Sequence, residues 1–185
     1  MSTAVQPEPS VTTWHIDPVH STAQFKVKHL MISNVKGEFT SIKGSLQLDS
    51  SDVAKSNLEV TVDANSINTR EPQRDTHLKS ADFFDVEKFP SIAFKSSKVS
   101  KKEGGEFAVE GDLTIHGVTR KVTLNVEAPS APQKDPWGGT RIGVEATTKI
   151  NRKDFGLVWN ATLETGGFMV GDEVTITLDV EFVKQ

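Results

Sequence analysis

The chain of 185 residues contains no cysteine. Disulfides, thiolate metal sites and cysteine nucleophiles are excluded together. A basic excess is also missing: the formal net charge is −4, and no cluster of Lys and Arg forms the footprint of a general nucleic-acid binder. Long apolar runs are absent too. Stretches such as 157–159 fall far short of the roughly 20 residues that a helix needs to cross a bilayer. The opening MSTAVQPEPSVTT has no Lys or Arg and no apolar core, so it does not read as a secretory leader. Residues 1–12 are expected to form a loose tail and 13–185 a single domain. The chain as written is expected in the cytoplasm, or in the periplasm if a signal peptide has been removed.

What is present is a two-residue rhythm. Ala23, Phe25 and Val27 alternate with Gln24, Lys26 and Lys28. The pattern returns at Val35–Phe39, Ile42–Leu48, Leu58–Val62, Ile92–Phe94, Phe107–Ile115, Val122–Val126, Ile142–Ile150 and Val174–Phe182. Such alternation belongs to antiparallel strands with one dry face and one wet face. Turn-forming stretches separate them, among them KKEGGE at 101–106 and HGVT at 116–119. Only 68–90 breaks the rhythm; it predicts one or two short helices, with Ser80 as an N-cap and His77, Ala81 and Phe84 on one helical face.

Eight or so strands with a single apolar face need a second sheet or closure. An up-and-down barrel hides the apolar face and removes the sheet edges at once, and the short connections favour it over a Greek-key sandwich. At eight strands the interior is either plugged by side chains or holds one small ligand. The predicted inward set, rich in Gly, Ala, Val, Ile and Leu with Phe25, Phe39, Phe94, Phe107 and Phe182, leaves both options open. Leu113 and Ile115 belong to the same face. A hollow barrel would be lined by hydrocarbon and take a lipid-like guest, each buried methylene contributing about 0.8 kcal/mol.

Selectivity would then rest on few polar groups. His29 falls on the apolar side of its strand, where it is either a satisfied core histidine or a contact for a ligand head group. His77 poses the same choice. His15, His20 and His116 read as structural. No histidine pair has the spacing of metal ligands, and no G-x-S-x-G elbow marks a nucleophile. Asp82 and Asp85 read as capping or solvated carboxylates. Arg70, Arg74, Lys79, Arg152 and Lys153 are either scattered surface charge or a greeting for a phosphate.

Six segments carry a resemblance: WHIDPVHSTAQFKVKHL (14–30), VKGEF (35–39), RDTHLKSADFFDVEKFPSIAFKS (74–96), GDLTIHGVT (111–119), RKDFGL (152–157) and VGDEVTITLDVEF (170–182). In this order and spacing the chain resembles the YceI-like family, lipocalin-like bacterial polyisoprenoid-binding proteins. The resemblance implies an all-β fold: an extended eight-stranded antiparallel barrel with a helical insertion around 70–85. It implies a bound isoprenoid chain with a quinone-, phenol- or phosphate-type head, no further cofactor, and often a homodimer. Carried over by motif, Phe25, Val27, His29 and Phe39 would line the pocket, and His77, Leu78, Phe83 and Phe84 would close over it. Phe155, Leu157, Trp159 and Met169 would add lining, with Asp154 and Asn160 as polar candidates near that end. Many relatives look periplasmic, whereas this chain shows no leader. An enzyme acting on the same lipid, with His29 or His77 as acid–base, and a filled barrel serving as an interaction module are the rival readings.

Overall fold

A computed structural model describes residues 10–185. The strands in chain order are β1 (Val11–Ile16), β2 (Thr22–His29), β3 (Ser33–Phe39), β4 (Ile42–Asp49), β5 (Asn57–Asp63) and β6 (Ile67–Asn68). After helix α1 (Pro72–Lys79) come β7 (Ser91–Lys101), β8 (Phe107–Ile115), β9 (Val118–Val126), β10 (Gln133–Lys134), β11 (Thr140–Asn151) and β12 (Val170–Lys184).

Every ladder is antiparallel, and β11–β12 pairing closes the sheet on itself. Two strands share one edge of β12: β1 pairs with it at 182–184 and β2 at 170–179. They are two halves of one stave, broken at 17–21. β3 pairs with β2 while β4 pairs with β1, so β3 and β4 form a second broken stave. β6 continues β5 in the same way, pairing with β3 while β5 pairs with β4. The eight staves run up and down around the barrel, as the alternation led us to expect. β1 begins at Val11, so 11 and 12 belong to the wall rather than to a tail; of the rest of that expected tail, Ser10 is an exposed bend and 1–9 lie outside the described residues.

The wall is uneven. β11 and β12 are paired from Arg141↔Val183 to Asn151↔Glu173, yet β9 and β11 pair only at Val126↔Ala146 and Asn125↔Thr147. β6 has β3 as its sole ladder partner among the described residues, so the wall parts between β6 and β7. The segment 69–90 occupies the connection there. Pro72 supplies a preset φ at the first turn, and the Glu71 carboxylate accepts from the N–H groups of Gln73 and Arg74. The Asp75 carboxylate accepts from both N–H and Oγ1 of Thr69, tying the helix start to β6.

Ser80 ends the helix instead of starting one. Its N–H and its Oγ both donate to the His77 carbonyl, satisfying a C-terminal orphan acceptor. The turn that follows leaves Ala81 exposed, so His77, Ala81 and Phe84 do not share a helical face. A competing local hydrogen bond outweighed the helical pattern.

Inward side chains form two packed groups. One gathers Trp14, Ile16, Phe39, Ile42, Ile142 and Phe182; the other gathers Phe94, Val109, Leu113, Leu124, Phe155 and Leu157. Inward glycines make room for rings: a Cβ on Gly37 would lie 2.4 Å from Phe25, and one on Gly111 would lie 2.5 Å from Phe94.

Candidate functional site: an apolar cavity

An internal cavity of about 170 Å³ lies between the two packed groups. Apart from Gln24, Thr148 and Arg152, every lining residue is apolar. Of the residues singled out in the sequence or by the resemblance, Phe25, Val27, Phe39, Leu78, Phe83, Phe84, Phe94, Leu113, Ile115 and Leu157 line it. Val60, Val62, Ile92, Val174, Ile176 and Leu178 complete much of the wall. Their parity along β5, β7 and β12 marks them as inward, although they were not singled out.

Aromatic side chains form a ladder at one side. The rings of Phe25 and Phe39 are 5.8 Å apart, and Phe84 meets Phe39 edge-on at 5.7 Å. These separations are favourable for tilted and edge-to-face pairs. The ladder couples β2, β3 and the post-helix turn, so it fixes the cap against the wall. Over it, His77 stands edge-on to Phe83 and Trp159 at 5.1 and 4.7 Å.

The remaining predicted residues lie elsewhere. Phe155, only 1% exposed, packs in the second group and forms part of a cleft between β9 and β11. Trp159 joins the cap, and Met169 is held on a loop whose carbonyl accepts from the Leu30 N–H. Neither lines the cavity. His29 continues the inward face of β2 but is half-buried at the strand end, beyond the lining. His77 lies outside it as well, with Nε2 2.8 Å from an Asp82 carboxylate oxygen.

Arg70 is exposed in a turn with φ 64°. Asp154 is exposed and faces the β9–β11 cleft. Asn160 is a loop clasp: its Nδ2 donates to the Val170 carbonyl, and its Oδ1 accepts from the N–H groups of Val170 and Ala161.

The charged group that does reach the cavity is Arg152, which in the sequence reads either as scattered surface charge or as a greeting for a phosphate. It is 4% exposed. It sits in the 3₁₀ turn Arg152–Phe155, where the strand parity of β11 has already ended. Nε donates to the Gly171 carbonyl at 2.8 Å, and Nη1 donates to the carbonyls of Leu157 and Trp159 at 2.6 and 2.9 Å. Burial pushes its ionisation below the ordinary guanidinium range, while Asp172, 3.7 Å away, opposes that shift. With the Val170 carbonyl 3.4 Å from Nη2, four backbone carbonyls, two from the loop and two from the start of β12, thus converge on one cation at the cavity wall. The arrangement presents positive potential to an otherwise hydrocarbon space.

A model of the YceI-like domain matches residues 14–182. The chain belongs to the YceI-like family. A UPF0312 protein of Staphylococcus aureus is 39% identical over 173 residues, covering 93% of this chain and 98% of the relative. The YCEI protein of Campylobacter jejuni superposes with a TM-score of 0.71 at 32% identity, covering 86% of this chain and 91% of that one. A polyisoprenoid binding domain from Saccharophagus degradans superposes at 0.68 with 16% identity, covering 94% and 99%. At that identity the likeness concerns the fold.

Proposed function

We propose that this barrel binds an isoprenoid lipid by burying its tail in the internal cavity. The observation that carries the reading is the lining, which is hydrocarbon except for Gln24, Thr148 and the inward edge of Arg152. Such a site rewards apolar length and gives little purchase to a polar substrate. The name of the Saccharophagus degradans domain, a polyisoprenoid binding domain on the same fold, supports it.

A cavity of about 170 Å³ is small beside the roughly 300–1,000 Å³ of ordinary ligand sites. A long chain is admitted by displacing lining side chains that are only half-buried, Phe25, Leu78 and Phe84 first among them. Arg152 is the candidate for a quinone, phenol or phosphate oxygen, and His29 for a contact nearer the mouth. Retention of a lipid in this way requires no cofactor or metal. The pair His77–Asp82 has acid–base geometry but is not part of the lining, so binding is favoured over turnover.

Purification without detergent, solvent extraction and mass spectrometry of the co-purified lipid test the reading. A stoichiometric prenyl lipid is expected. A blank extract, repeated after prenyl lipids have been offered, would leave a filled barrel acting as an interaction module.

A further inference from the structure

The hairpin joining β2 to β3 has the wrong residues for its backbone. Ile32 N–H donates to the His29 carbonyl, and between them Leu30 and Met31 have φ of 52° and 60°. Two successive left-handed residues are the requirement of a type I′ turn, which Asn-Gly meets without strain and Leu-Met does not. The tip is also apolar where a turn is normally polar. Met31 is 63% exposed and Ile32 82% exposed. Strained backbone at Leu30 and Met31, overlapping exposed hydrocarbon at Met31 and Ile32, marks a surface kept for contact.

Its surroundings say what kind. On the outward face of the hairpin, Lys26 stands directly opposite Lys36, with Lys28 one step nearer the tip. Lys95, Lys98, Lys121, Lys149 and Lys153 each hold a carboxylate, but none of these three hairpin lysines is ion-paired among the described residues. Like charges facing across a ladder are unfavourable unless something else answers them. Of the acids around it, Asp172 is engaged by Lys153 and Arg152, Glu173 by Lys149, Glu164 is exposed, and Glu38, two residues on from Lys36 on the same outward face, stands opposite Gln24. This basic face belongs to a chain whose net charge is −4.

The hairpin also stands at the mouth of the site. Its first residue, Leu30, donates to the Met169 carbonyl, one residue before Val170 of the lining. On that loop Phe168 is 54% exposed and Val158 62%. The helical cap, the β8–β9 turn and the Arg152 loop gather at the same end, since Phe83 meets Trp159 and Phe89 meets His116.

We propose that the 30–32 tip docks this end of the barrel on an anionic bilayer, the apolar turn entering the interface and Lys26, Lys28 and Lys36 meeting lipid phosphates. Apolar insertion backed by basic residues is the general recipe for reversible interfacial binding. The purpose of such docking rests on the lipid-binding reading: a tail leaving the bilayer next to the cavity mouth stays out of water.

Flotation with phosphatidylcholine vesicles, with and without phosphatidylglycerol, tests it. The parent chain is expected to float with the anionic vesicles and to be released by salt. Leu30→Asn/Met31→Gly/Ile32→Ser, which suits the turn and so keeps the fold, should lower partitioning by about tenfold or more. Lys26→Gln/Lys28→Gln/Lys36→Gln should abolish the preference for phosphatidylglycerol. Equal flotation of the tip variant and the parent overturns the proposal, as does a parent that binds neither vesicle. If the tip variant instead turns a dimer into a monomer in sedimentation, the surface belongs to a second copy of the chain, and the proposal also falls. Uptake of a prenyl alcohol from detergent micelles needs no bilayer, and the tip variant should retain it. A parent that floats yet takes up no prenyl alcohol sinks the lipid-binding reading while the docking stands.

Discussion

Arg152 is where residue-level reading and folded position part most widely. In RKDFGL it looks like one more surface cation, because the alternation of β11 ends at Asn151 and no period says which way the next residue turns. The fold turns it inward because the carbonyls of Gly171, Leu157 and Trp159 need a donor, and a planar guanidinium serves all three. His29 is the converse case: its parity was legible, and only its place at the end of β2 sets it beyond the lining. Replacing Arg152 with Met leaves buried carbonyls unsatisfied, so a loss of about 2–4 kcal/mol is expected in urea unfolding. Lys at 152 offers a single ammonium in place of the fork and should recover only part of that loss. A Met variant as stable as the parent would mean that water replaces the side chain at little cost.

Among the elements, period two revealed most of the wall, because each strand buries one face and wets the other. It missed β1, whose six residues follow a tail-like stretch and whose inward Trp14 and Ile16 make too short a signal. It also showed nothing of the breaks at 17–21, 40–41 and 64–66 that split three staves, since these answer to the curvature of the whole barrel. Inward glycines were legible as small residues but not as seats for rings. Gly37 pairs with Phe25 across the β2–β3 ladder, and its missing side chain leaves the ring its place. Gly37→Ala puts a methyl 2.4 Å from the ring and forces it to swing toward the cavity. The longest prenyl chain retained should then shorten by about one isoprene unit while the barrel stays folded. Phe25→Ala should act oppositely and admit a longer chain. Competition among prenyl alcohols of graded length, read by mass spectrometry, measures both. An unchanged length preference in the pair would place the tail elsewhere.

For the whole molecule the two ends of the barrel do different work. The cavity, the cap and the hairpin tip share one end; the chain closes at the other through a charged staple that no local pattern displays. Arg141 at the start of β11 reaches Asp135 on the preceding turn at 2.7 Å and Asp17 at 2.6 Å, and it also bonds Glu181 of β12. His20 and then Arg141 hold the Asp17 carboxyl far below its ordinary value of 3.8, and Arg141 lowers Asp135 in the same direction. A carboxyl depressed by folding contributes stability that is fully present above its unfolded value and is lost as pH falls through the folded one. Stability in urea should therefore hold level down to about pH 5, decline as pH drops past 3.8, and keep declining below it. Arg141→Met removes a principal cause of both shifts and should flatten that acid slope while lowering stability at neutral pH. The staple lies at the opposite end from the mouth, so the variant should still retain its lipid at pH 7. If neutral-pH retention were lost along with the acid slope, the two ends would be one mechanical unit, and closure of the barrel would itself set the shape of the cavity.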